Sequence, residues 1–117
     1  AVTADVVLPW FTPDMYEERP EVATALAEDV VGLHPEGFAS VCGAIAGMDQ
    51  RRLIPEVRVP TLVASAAHDP LLPPGHGRRL ADGLADVRFE VVPGAANLLG
   101  VERADRVNEL LVEHFGS

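Results

Sequence analysis

Two short strand-like segments with a helical stretch between them restrict the fold more than anything else in the chain. Thr61-Leu62-Val63-Ala64-Ser65-Ala66 follows Pro60 as a continuous run and reads as a strand buried on both faces, as in a parallel sheet. A second strand reads from Arg88 to Val92 and stops at Pro93-Gly94. About 27 residues lie between the two strand starts, the spacing of a βαβ unit, whose crossover is almost always right-handed. The crossover carries a Pro-rich loop from Asp69 to Pro74 and then a helix at about 75–85 with Leu80 and Leu84. A last helix at about 103–115 places Val107, Leu110, Leu111 and Phe115 on one side.

Ahead of this unit the chain is helical in character. Thr12-Pro13, Arg19-Pro20 and His34-Pro35 each put proline where a helix begins, and Asp14, Glu21 and Glu36 follow close behind to favour the positive helix end. The spacing predicts helices at about 3–10, 14–19, 21–33 and 36–47. Val22, Leu26, Val30 and Leu33 form one apolar face, and Phe38, Val41, Cys42, Ile45 and Met48 form another. The fold class is α/β: a helical segment, 1–55, followed by a two-stranded parallel βαβα unit, 56–117. No internal repeat and no glycine-rich phosphate loop occurs, and no cofactor is expected.

Charge narrows the partners. The net charge is −9, and nine arginines are scattered among 18 acids. A nucleic-acid partner needs a basic patch that displaces counterions, and none is present. No apolar run approaches the roughly 18 residues that span a bilayer, so no membrane partner is expected. Cys42 is the single cysteine, which excludes an internal disulfide and a cysteine-based zinc site; no metal is expected. Nothing resembles a signal peptide, so a cytoplasmic location is the expectation.

Val59-Pro60-Thr61-Leu62-Val63, His68-Asp69-Pro70, Pro73-Pro74 and Pro93-Gly94-Ala95-Ala96-Asn97 resemble, in order and spacing, the closing third of α/β-hydrolases. The family pattern there is strand, acid, proline loop, helix, strand, then a Gly-x-x-His turn and a last helix. Trp10-Phe11-Thr12-Pro13, Pro35-Glu36-Gly37-Phe38 and Ala44-Ile45-Ala46-Gly47-Met48-Asp49 resemble the lid of 3-oxoadipate enol-lactonases, which hydrolyse an enol-lactone in the aromatic-degrading β-ketoadipate pathway. The resemblance implies the C-terminal portion of an α/β-hydrolase fold, with residues 1–55 as lid and a small lactone or ester as ligand.

It also implies a site. Asp69 stands at the family's acid position and Asn97 at that of its histidine. Neighbouring parallel strands lie roughly 4.8 Å apart, so the loops beyond both strands open on one sheet edge and bring Asn97 near Asp69. An amide donates a hydrogen bond to a carboxylate but takes no proton at neutral pH, so Asn97 is not competent as a base. No Gly-x-Ser-x-Gly occurs; Ser40, Ser65 and Ser117 lie in other contexts. Trp10, Phe11 and Met48 are candidates to line a pocket under the lid, although an apolar helix face is more often core. Asp69 before Pro70 also suits any loop, and Asn97 any turn. His68 precedes the acid and is expected to point away from it; His34, His76 and His114 read as solvent-facing residues near helix ends. Cys42 reads as a small buried hydrophobe.

Two functions follow as expectations. In the first the chain is hydrolase-like but inactive alone, with an N-terminal hydrolase half supplying the serine and the oxyanion donors. In the second it is a non-catalytic ligand-binding or interaction module derived from that family. The first strand, apolar and open on one edge, also predicts self-association.

Overall fold

The computed structural model describes residues 4–116. Residues 1–3, at the start of the first expected helix and of the helical segment, and Ser117 lie outside the described residues. A 3-10 stretch, Ala4–Trp10, leads into α1 (Pro13–Glu18), α2 (Pro20–Val31) and α3 (Pro35–Gly47). Each of these three helices begins at its proline, because the ring fixes φ near the helical value and a first-turn N–H has no intrahelical acceptor to lose. A second 3-10 turn, Ile54–Glu56, precedes β1 (Thr61–Ala66), α4 (Pro74–Asp82), β2 (Val87–Val92), α5 (Leu99–Glu102) and α6 (Ala104–Phe115).

β1 and β2 pair in parallel, from Thr61 opposite Val87 to Ala66 opposite Val92. On one face Val63, Ser65 and Phe89 lie under α4. A Cβ at Gly77 would collide with Ser65 Oγ and fall 2.9 Å from Phe89 Cε2, so the absence of a side chain there lets the helix approach the sheet. This close approach suits a small residue one turn further on. Ala81 is the buried residue of α4, while the larger Leu80 beside it is exposed. On the other face Leu62, Ala66 and Val92 pack with Ala95, Leu99 and Leu110 of α6.

Burial of β1 on both faces is incomplete. Val63, Ser65 and Ala66 are buried, but Ala64 is exposed. It lies beside Glu90, its register partner, and on that face Arg88 and Glu90 bridge to Glu113 and Arg106 of α6. Those charged heads keep water at the centre of the face. The open edge of β1 has no strand beside it among the described residues.

A second core joins the helical segment to the loop beyond β2. Phe11, Met15 and Ala23 are buried together, with Trp10, Tyr16, Val22, Leu26, Leu98 and Val101 packed around them. Phe11 and Tyr16 meet edge to face, 5.9 Å between ring centres. By contrast α3 buries no residue. Val41, Ile45 and Met48 are exposed, and so is Cys42, which corrects its reading as a buried hydrophobe. The apolar face of α3 is present, but only Phe38 of it is half-buried, and Val41, Cys42, Ile45 and Met48 face outward.

Candidate functional site

The turns beyond the two strands are stitched together by their backbones. Ala67 N–H donates to Val92 O and His68 N–H to Ala95 O, both at 2.9 Å, which continues the ladder past the last strand residues. Asp69 therefore emerges beside the 94–97 turn. Gly94 enters that turn at φ +66°, and a Cβ there would stand 2.8 Å from the Arg103 guanidinium. Ala95 and Ala96 are buried beneath it.

The Asp69 side chain is buried, at 8% exposure, and its carboxylate is fully engaged. Oδ1 accepts from Leu71 N–H at 2.9 Å and Leu72 N–H at 3.0 Å, an Asx-type turn that shapes the proline loop. Oδ2 accepts from Asn97 Nδ2 at 3.0 Å. Since a carboxylate offers only acceptors, the Asn97 amide must turn its nitrogen toward Asp69, and its Oδ1 makes no hydrogen bond among the described residues.

The aromatic candidates divide. Phe11 is both buried in the second core and part of the wall of an open cleft of about 690 Å³, shared with Leu8, Pro13, Tyr16, His68 and Pro70. Trp10 is half-buried against the same core, and its carbonyl accepts from Leu98 N–H at 2.9 Å, one residue beyond Asn97. The structure does not bring Met48 to this cleft: it lies exposed at the end of α3, lining another depression with Arg51, Ile54 and Leu80. His68 is exposed, makes no hydrogen bond to Asp69, and faces the cleft beside Pro70. His34 and His76 are exposed; His114 is half-buried against Phe115.

Glu102 is the residue that sequence reasoning missed. Its side chain is 3% exposed, and its carboxylate accepts from Thr12 N–H at 3.2 and 3.1 Å, from the Thr12 hydroxyl, and from Ala96 N–H at 2.9 Å. A buried carboxylate persists only when donors replace its lost water, and these three supply them. Arg19 donates to the carbonyls of Val101 at 3.4 Å and Glu102 at 3.1 Å, which adds a cation at the end of α5. Nearby, the Tyr16 hydroxyl donates to Val7 O at 2.8 Å, and its pKa is pushed up by burial and, secondarily, by the Glu102 charge. The one available signal was an acid set among Leu98, Leu99 and Val101 in an otherwise apolar turn.

Among the described residues no group of three His, Cys, Asp or Glu could hold a metal ion, and no helix is long and apolar enough to cross a membrane.

No protein-family model matches the chain. The chain is 32% identical over 99 residues to 3-oxoadipate enol-lactonase 2 of Acinetobacter baylyi, a match covering 85% of this chain and 37% of that protein. Its fold superposes on the crystal structure of the enol-lactonase from Burkholderia xenovorans LB400 with a TM-score of 0.92 at 37% identity, covering 97% of this chain and 44% of that one. A thermophilic esterase from Thermogutta terrifontis matches with a TM-score of 0.85 at 27% identity, over 94% of this chain and 41% of its own. The chain thus spans less than half the length of these relatives. Its fold is that of the C-terminal part of α/β-hydrolases, and over nearly its whole length it resembles that part of the 3-oxoadipate enol-lactonases.

Proposed function

We propose that this chain forms the lid, the acid position and the last two strands of a site for a small lactone or ester, and that it performs no hydrolysis unaided. The observation that carries this is the hydrogen bond from Asn97 Nδ2 to Asp69 Oδ2 at 3.0 Å. In a hydrolase of this class the residue bonded to the acid must accept the proton of the nucleophile, and an amide does not. Loss of the histidine costs roughly a millionfold in turnover in a serine protease.

The likeness to an enol-lactonase and to an esterase supports the ligand class, and the cleft walled by Phe11, Tyr16 and His68 supports a partly apolar ligand. The serine and the oxyanion donors would come from polypeptide carrying the front half of the fold, whose last strand would pair with the open edge of β1. Aromatic degradation and a cytoplasmic setting belong to the same proposal. Purified chain assayed against an aryl ester and the enol-lactone is the test. Background rates are expected, and saturable turnover that disappears in Asp69→Ala sinks the reading.

The same hydrogen bond favours a second reading, a non-catalytic binding module. With Asp69 satisfied by Asn97, the pair has no proton to move, while Asn97 Oδ1 remains an acceptor for a ligand donor. Saturable binding of the lactone acid by the chain alone, without turnover, distinguishes this reading from the first.

A further inference from the structure

Glu102 sits where three separate pieces of chain converge. Thr12 lies at the start of α1, Ala96 immediately precedes Asn97, and Glu102 itself ends α5. The bond from Thr12 to Glu102 spans 90 positions, so it closes the helical segment onto the sheet unit rather than stabilising either one locally. Thr12 occupies the N-cap position of α1, yet its hydroxyl makes no cap to its own helix and turns instead to Glu102. That is an unusual use of a threonine at this position, which ordinarily satisfies a first-turn N–H.

The bonds around this carboxylate lead directly to the candidate site. Ala96 N–H, held by Glu102 Oε1, is the peptide next to Asn97. On the other side of Asn97, Leu98 N–H is held by Trp10 O. Asn97 is thereby gripped at both neighbours, by the Glu102 carboxylate and by the backbone of Trp10, two positions before Thr12, and its amide is presented to Asp69. Apolar packing of Trp10, Phe11 and Met15 with Leu98 and Val101, and the Arg19 bonds to the Val101 and Glu102 carbonyls, hold the same joint, and the Glu102 carboxylate is the part of it that bonds the Asn97 turn itself.

We infer that Glu102 is a positioning residue for the Asp69–Asn97 pair, its buried carboxylate holding Thr12 and Ala96 so that the helical segment and the Asn97 turn keep one arrangement. The inference is independent of ligand and of reaction. It requires only that loosening the carboxylate loosens the turn selectively, ahead of the rest of the fold.

Residue-resolved amide hydrogen exchange on Glu102→Gln is the experiment. Glutamine keeps the length and one acceptor oxygen but removes the charge: the Thr12 and Ala96 N–H groups then bond a neutral oxygen, and the Thr12 hydroxyl must turn to accept from the new amide, so the set is weakened without being emptied. The Leu98 N–H, which bonds Trp10 O and not the Glu102 carboxylate, is expected to exchange about tenfold faster or more, the scale of one hydrogen bond to a charged group. The Asn97 side-chain amide resonance should shift, while the Ala67 amide bonded to Val92 O keeps its wild-type rate. A uniform rise at all slow amides marks a general structural role and overturns the inference, as does an unchanged Leu98. If Glu102→Gln does not fold, Thr12→Val and Thr12→Ser decide. Valine, which removes the hydroxyl but keeps the shape, should reproduce the Leu98 loss, and serine should restore the wild-type rate. Valine behaving as wild type overturns the inference.

Discussion

Asn97 Nδ2 and Asp69 Oδ2 lie 3.0 Å apart, although 28 positions separate the residues in the chain. The parallel register produces this meeting: Ala66 pairs with Val92, so the turns that follow leave the sheet side by side. Asp69 Oδ1 is meanwhile occupied by the Leu71 and Leu72 amides, which leaves Oδ2 as the oxygen that orients whatever stands at position 97.

An imidazole placed at that position should therefore feel the carboxylate. In Asn97→His the histidine pKa is expected above its ordinary value of about 6.5, by about one unit or more, because the adjacent negative charge favours the imidazolium. Titration followed by NMR measures it, and adding Asp69→Asn should return the value toward normal. An unshifted histidine would show that the two turns do not meet in solution.

Removing the acid should cost stability as well as chemistry. Asp69→Ala strips acceptors from the Leu71 and Leu72 amides and from Asn97 in a buried setting, an expected loss of about 2 to 3 kcal/mol. Asp69→Asn keeps one acceptor oxygen and should lose less. Urea unfolding of the two variants gives the comparison; equal loss in both would assign the effect to charge rather than to the turn.

Gly77 carries the contact between α4 and the sheet. A methyl group there meets Ser65 Oγ and Phe89 Cε2 inside contact distance, so Gly77→Ala should destabilise by about 1 to 3 kcal/mol despite alanine's better helix propensity. Ser65→Ala in the same chain should recover part of the loss. Thermal melts showing that Gly77→Ala is neutral or stabilising would mean that α4 stands further from β1.

Tyr16 should make the fold sensitive to alkali. Burial first, and the Glu102 charge second, raise its pKa in the folded chain, so the folded state favours the neutral phenol. This contribution is complete below the unfolded value near 10 and is lost as pH rises through the higher folded value. Stability measured by denaturant should fall across that alkaline window in the wild type and fall less in Tyr16→Phe. At neutral pH Tyr16→Phe should lose about 1 kcal/mol with the bond to Val7 O.

The open edge of β1 and the bare face of α3 together predict association. Val41, Ile45, Met48 and Val59 are all more than half exposed, and an unpaired apolar strand invites pairing with another chain. Sedimentation at micromolar concentration should show dimers or larger species. A non-associating monomer would show that neither surface is sticky enough to matter.

The parallel βαβ unit, the helix starts at Pro13, Pro20 and Pro35, and the approach of residue 97 to residue 69 were all legible in the sequence. Each rests on a simple rule: proline fixes its own φ, apolar spacing declares helix or strand, and parallel pairing of two strands brings their C-terminal ends to one edge. Which apolar faces are buried was not legible. The run Phe38 to Met48 has the spacing of a core helix, yet whether such a face is covered depends on what lies opposite, and periodicity contains no information about that. That Ala81 rather than Leu80 is buried follows from the helix-to-sheet distance set at Gly77 and Ser65, a relation between residues on different elements. Glu102 was invisible for the same reason. A lone acid in an apolar turn acquires its meaning only when folding carries Thr12, 90 positions away, and Ala96 to its oxygens, since the donors that make a buried charge tolerable are chosen by the tertiary arrangement and not by neighbours in the chain.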